Sequence, residues 1–147
     1  MRLTIIAIGR ARDADEARIV ARYLTRMRPK PELIEIDGRK SRDAMDEWTQ
    51  IEARIPAGAA RVLLDERGHN LASPKLAARL GQWRDDGRDI ACLIGGAYGF
   101  PDIARQSADL ILAFGQATWP HMLVRAMLFE QLYRAQEILA GKPYHHG

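Results

Sequence analysis

The sequence predicts an α/β fold with a largely parallel sheet covered by helices on both faces. Three observations lead there. Five short β-prone runs alternate with stretches whose apolar residues recur near helical spacing, the order that parallel strands joined by crossover helices require. The runs over residues 3–8 and 89–94 are nearly unbroken in apolar residues, as in strands buried on both sides. Hydrophobic residues make up 47% and charged residues 28% of 147, the mixture of a globular protein, and this length suits one folding unit, residues 1–147, with a substantial core.

Each element has its own signal. Residues 3–8 read as the first strand. Residues 13–27 follow as a helix, with Ala17, Ile19, Val20, Tyr23, Leu24 and Met27 inward. Pro31 breaks that pattern, and residues 33–36 supply a short second strand. Ser41 is a plausible cap for a helix reaching about Ile55, ended by Pro56 and Gly58. Residues 61–65 make a third strand around Val62-Leu63-Leu64, and residues 66–70 read as a turn. Ser73 caps the next helix, with Pro74 in its first turn and Leu76, Ala77, Leu80 and Trp83 as its inward stripe; Asp85-Asp86-Gly87 terminates it. Residues 88–94 form the fourth strand, 95–99 a glycine-rich loop, 101–107 a short helix and 109–114 the fifth strand. From about Pro120 to Ala140 the positions Leu123, Ala126, Met127, Leu132, Ile138 and Leu139 support one long helix, ended by Gly141 and Pro143. Residues 144–147 remain as a tail.

Charge is modest overall, at +3, but uneven: residues 1–42 hold eleven Lys and Arg against six Asp and Glu. Such a front end attracts phosphate backbones by counterion release, although the same pattern also fits a solvated helix face. The lone cysteine, Cys92, lies in an apolar run and reads as a small core hydrophobe, so neither a disulfide within the chain nor a cysteine metal cluster is expected. The opening run resembles a secretory signal only in outline, being short and followed at once by charge, and reads better as a strand. With no stretch approaching a membrane span, a cytoplasmic location is expected. Residues 9–12 lack the G-x-G-x-x-G of a dinucleotide fold, and no P-loop is present, which disfavours nicotinamide enzymes and P-loop hydrolases. His69, His121, His145 and His146 have no metal-ligand spacing, so no metal is expected.

In a parallel α/β sheet, ligands gather at the carboxyl ends of the strands, where loops converge and helix amino-termini present free N–H groups. Here those ends are Leu64-Asp65, residues 95–99 and residues 114–119. The run Gly95-Gly96-Ala97-Tyr98-Gly99 allows close backbone approach to a ligand, though an ordinary strand-to-helix turn has the same composition. The run Phe114-Gly115-Gln116-Ala117-Thr118-Trp119-Pro120-His121 offers backbone groups to the edge of an adenine, with Phe114 and Trp119 able to flank the ring. The plainer reading makes Phe114 and Trp119 core anchors and Thr118 a helix cap. The tail Tyr144-His145-His146 is either frayed or ordered by a partner; tyrosine and histidine together can stack on a base and move a proton.

Read together, these motifs resemble a known family. Leu93-Ile94-Gly95-Gly96-x-x-Gly99, Trp119-Pro120-His121-x-Leu123-Val124-Arg125, Glu130-Gln131-Leu132-Tyr133-Arg134-Ala135 and Pro143-Tyr144-His145 look like the RlmH family of SPOUT methyltransferases, and the likeness extends to residues 3–9 and 33–36. The resemblance implies a SPOUT fold with a carboxy-terminal trefoil knot, a homodimer, and methyl transfer from S-adenosylmethionine to N3 of a pseudouridine in 23S ribosomal RNA, on the assembled ribosome. Periodicity alone would not suggest a knot. The cofactor-binding positions it implies are Leu64, Gly95 and the run Phe114, Gly115, Gln116, Ala117, Thr118 and Trp119.

For the substrate side, His121, Arg125, Tyr144 and His145 are the expected cluster, with Arg125 stabilising charge and a histidine or tyrosine accepting the N3 proton. The chemistry needs alignment and proton removal, not a metal. The tail departs from the family pattern at one place: His146 stands where an arginine or lysine is usual, and a histidine grips phosphate weakly near neutral pH. Two other readings fit parts of the sequence: a non-enzymatic RNA-binding or ribosome-associated module, and a SPOUT enzyme acting on another RNA.

Overall fold

A computed structural model describes residues 1–147 and shows five strands and five helices in strict alternation: β1 (Leu3–Ile8), α1 (Asp15–Arg26), β2 (Glu32–Ile36), α2 (Ala44–Glu52), β3 (Ala60–His69), α3 (Ser73–Asp85), β4 (Ile90–Ile94), α4 (Asp102–Ser107), β5 (Leu110–Leu112) and α5 (His121–Leu139). The sheet order is β2-β1-β4-β3-β5, and every pairing is parallel, so the largely parallel sheet of the sequence reading is wholly parallel.

Alternation along the strands sorts the core into two layers. Leu3, Ile5, Ala7, Val62, Leu64, Ile90, Cys92 and Ile94 face one way, against Val20 of α1, the Leu76-Ala77-Leu80-Trp83 stripe of α3, and Leu128, Phe129 and Leu132 of α5. Ile6, Ile8, Leu63, Ala91 and Leu93 face the other, against Trp48 and Ile51 of α2 and Ala104 of α4. Central strands buried by both layers need apolar residues at every position, which is why β1 and β4 show no polar alternation.

The termini of the elements carry the corrections. Asp43, not Ser41, caps α2: its carboxylate accepts from the Asp46 N–H at 2.8 Å, while the Ser41 hydroxyl accepts from Gln50. Ser73 is the first residue of α3, after an Ala72 cap that makes no side-chain bond, and its hydroxyl donates to Gln131 on α5 at 2.7 Å. The expected turn at 66–70 is instead the end of β3. Its register shifts between Leu64 and His69, both of which lie opposite Leu112, so the strand bulges and then rejoins β5 through the Ala113 N–H to the His69 carbonyl, 3.0 Å. Gly68 permits this: a Cβ there would stand 2.6 Å from the Ile111 backbone. The ends of β4 and β5 are shorter than expected, starting at Ile90 and Leu110.

The last helix runs between α1 and α3 and ends as its sequence predicts, with Gly141 at φ +70° and the Lys142 N–H closing on the Glu137 carbonyl. No helix is long and apolar enough to cross a membrane.

Candidate cofactor and substrate site

Three neighbouring strands, β4, β3 and β5, end at one edge of the sheet, and the loops that leave them enclose a cavity of about 690 Å³. Its floor is apolar, from Leu64, Ile94, Phe100 and Leu112, and its rim is formed by residues 95–99, 113–115 and 117–119. Glycine suits both loops: Gly99 and Gly115 hold φ of +71° and +88°, and a Cβ on Gly95 would press the Phe100 ring at 3.3 Å.

The loop after β5 is fixed by its own polar contacts. The Trp119 indole donates to the Phe114 carbonyl at 2.9 Å, closing the loop on itself, while the ring is 40% exposed. Phe114 packs partly against the core. Trp119 is therefore not a core anchor. Nor does Thr118 cap α5, whose cap is Pro120; the Thr118 hydroxyl donates to the Glu66 carboxylate across the cavity mouth. Beside that clasp, Arg105 of α4 bonds Asp65 at 2.9 Å, with the Asp65 side chain only 8% exposed, so the bulge of β3 is tied to α4 as well.

Of the residues expected to bind cofactor, Leu64, Gly95, Phe114, Gly115, Ala117, Thr118 and Trp119 all line this cavity, and Gln116 is the one that does not. The expected substrate cluster is split. His121, the exposed first residue of α5, lines the cavity. Arg125 does not. Its side chain is 1% exposed, bonded to Glu35 of β2 at 2.5 Å and to the Gly9 carbonyl at 3.0 Å, so its charge is already balanced and turned toward the ends of β1 and β2. A role as stabiliser of charge in the cavity does not fit that placement; the side chain anchors the start of α5 instead.

The tail folds back onto its own helix. Tyr144 stacks edge-on against Tyr133 at 4.8 Å, lies under the Arg134 guanidinium at 4.7 Å, and directs its hydroxyl to Glu130. Burial, with help from the neighbouring Tyr23 and Glu130, pushes the Tyr144 phenol up to about 12, so at neutral pH it is a donor and not a base. Arg134 reaches His145 Nδ1 at 3.1 Å; a guanidinium can only donate, so Nδ1 accepts and the ring proton sits on Nε2. Held this way, His145 offers a donor too. No residue of the tail lines its own chain's cavity, and Glu130, which Tyr144 meets, lies roughly 13.5 Å along α5 from His121 at the helical rise of about 1.5 Å per residue.

Sequence reasoning did not single out Glu47, Glu66 or Arg105. Their roles depend on partners far along the chain, and nothing local marks them.

A family model described as predicted SPOUT methyltransferase matches residues 1–145. The chain belongs to that family. Among its relatives, the Ribosomal RNA large subunit methyltransferase H of Rhodospirillum centenum is 52% identical over 151 residues, covering 99% of each chain. The proteins of the same name from Paracoccus denitrificans and Hyphomonas neptunium are 47% and 49% identical, over 153 and 154 residues, again with 99% of each chain covered. The residues matched by the family model take in both cavity loops and Tyr144-His145.

The cavity suits a methyl donor of the kind the family uses. Its volume is in the range of cofactor pockets, its floor is apolar, and Gly95, Gly96, Gly99 and Gly115 leave parts of its rim without side chains.

Proposed function

We propose that this chain methylates N3 of a pseudouridine in 23S ribosomal RNA, on the assembled ribosome and in the cytoplasm, with S-adenosylmethionine as donor. What carries the reading is the coincidence of the strand-end cavity with the loops Gly95–Gly99 and Phe114–Trp119, in a chain of the SPOUT family whose relatives are named for ribosomal RNA methylation.

When bound, the donor supplies an electrophilic methyl group. The protein's part is to orient and to move a proton. Backbone of residues 114–119 would hold the adenine edge, with Phe114 and Trp119 beside it, and Leu64 and Gly95 would complete the seat. Gln116 stands in the same loop, outside the cavity lining. His121, exposed at the cavity, accepts the N3 proton, because the Tyr144 phenol and His145 Nε2 are both donors as placed. Donors of that kind stabilise the charge that develops on the base.

These groups meet only if the enzyme is a homodimer in which the tail of one protomer serves the cavity of its partner. That no tail residue lines its own chain's cavity supports this, as does the aromatic surface left open at the mouth by Tyr98, 53% exposed, and Trp119. The same reading takes residues 1–147 as one SPOUT domain with the family's trefoil knot, supported by residues 113–118 lying against the bulged end of β3.

Mass spectrometry of nucleosides from ribosomal RNA of a strain lacking the gene tests the substrate. N3-methylpseudouridine should vanish and return on complementation. An unchanged level removes this substrate.

A further inference from the structure

Glu47, on α2, carries its side chain beneath the glycine loop 95–99, on the layer of the core away from α5. The residue is 3% exposed, and its Oε1 has no hydrogen-bond partner. Oε2 is so close to the loop that a Cβ on Gly96 would stand 2.5 Å from it, and one on Gly38 3.3 Å. The groups that act on the carboxyl are the backbone N–H groups of Gly96 and Tyr98, with no arginine or lysine among them. Burial raises its pKa above the usual carboxyl range, and those two N–H groups oppose the rise.

A carboxyl group placed here is costly. An apolar side chain of similar size would pack against Ile8 and Trp48 without leaving an oxygen unpartnered in the core. What the carboxyl provides that an apolar group could not is a polar oxygen set against Gly96, in a loop that also lines the cavity. Buried polar groups that reduce stability are concentrated where function needs a defined shape.

We propose that Glu47 is a positioning residue: its carboxyl oxygen, held beneath Gly96, sets the shape in which the 95–99 loop receives S-adenosylmethionine. The inference rests on the reading of the cavity given above. Gly96 completes the arrangement, since any side chain there would displace the carboxyl or Ile8, whose Cγ2 would stand 2.7 Å from the new Cβ.

The test compares Glu47→Leu, Glu47→Asp and Glu47→Gln in the full chain, by calorimetric titration with S-adenosylmethionine and by thermal unfolding. Leucine removes the acceptor, aspartate withdraws it by one methylene, and glutamine keeps an oxygen at the same reach. The leucine and aspartate variants should bind about tenfold more weakly, and glutamine within about threefold of wild type. The leucine variant should do so with its Tm unchanged or raised, a combination that a purely structural role does not produce. If the leucine variant does not fold, the contrast between aspartate and glutamine carries the test. Wild-type affinity in both the leucine and aspartate variants overturns the inference, as does glutamine as weak as aspartate, or a loss of affinity that follows a fall in Tm. Wild-type protein that does not bind S-adenosylmethionine sinks the reading of the cavity and this inference with it; wild-type binding matched by the leucine and aspartate variants sinks the inference alone.

Discussion

Arg125 on α5 and Glu35 on β2 form an ion pair at 2.5 Å that joins the last helix to an edge strand of the sheet. The arginine is buried and the glutamate is 30% exposed, and the same Glu35 oxygen also accepts from the Ala11 N–H at 2.8 Å. One carboxylate therefore holds both the loop after β1 and the start of α5, the helix that presents His121 to the cavity. Replacing Glu35 with glutamine leaves a buried guanidinium without its counter-charge and should cost about 2–3 kcal/mol, below the figure for a fully buried pair because Glu35 is partly screened by solvent. Adding Arg125→Met should recover much of that loss. Urea unfolding of the two single variants and the double variant measures both; a double variant no more stable than Glu35→Gln alone would show that the pair is not the source of the cost.

The Thr118–Glu66 clasp closes the cavity between the bulge of β3 and the loop after β5. Neither residue is buried, so breaking the bond should leave global stability within about 0.5 kcal/mol. The loop loses a bond to a charged acceptor, however, and Thr118→Val should raise the Kd for S-adenosylmethionine by about three- to tenfold. Calorimetric titration decides the point, and equal affinity in the valine variant and wild type argues against the clasp as part of the site.

How much of this was legible in the sequence varies by element. Strands β1 and β4 were plain because burial on both sides forces an unbroken apolar run, and α3 because its stripe and Pro74 agree. The bulge at residues 65–68 read as a turn, since Glu66-Arg67-Gly68 has turn composition; that it rejoins β5 depends on the long-range fit of Gly68 against Ile111. Ser41 and Ser73 have the chemistry of caps, but Asp43 offered a better acceptor to the first and Gln131 drew the hydroxyl of the second. The cavity loops could be found because strand ends of parallel sheets are where ligands go, and glycine marks close approach. Arg125 was legible as a notable charge and not as a buried one: its partner Glu35 sits in a strand whose sequence says nothing about α5. The tail's donors likewise depend on Glu130 and Arg134, neighbours only after the chain turns back at Gly141.

Cys92 illustrates a residue whose sequence reading and environment agree. It is 1% exposed in the centre of β4, and burial pushes its thiol from 9.0 to about 12. Iodoacetamide should therefore leave the native protein unlabelled at pH 8 while labelling it fully in denaturant. The raised folded pKa means that the proton is held more tightly in the native state, so this contribution is present below pH 9 and declines as pH rises from about 9 toward about 12. Native labelling as fast as that of a free thiol would contradict the buried placement.

Separation of His121 from the Tyr144-His145 tail leads to the sharpest test of the proposed dimer. In a shared site, each protomer contributes a cavity with His121 to one centre and a tail to the other. His121→Ala and Tyr144→Ala should each lower methyl transfer by about a hundredfold or more when alone, through loss of the proton acceptor or of an aromatic donor against the base. Co-expressed in equal amounts, half of the dimers are mixed, and each mixed dimer carries one centre with both defects and one with neither. Activity should then return to about a quarter of wild type. If the tail instead served the cavity of its own chain, every centre in every dimer would keep one defect, and the mixture would be no more active than the single variants. Turnover on ribosomes from a strain lacking the gene, measured for the two variants separately and together, separates these arrangements by a margin far larger than assay error.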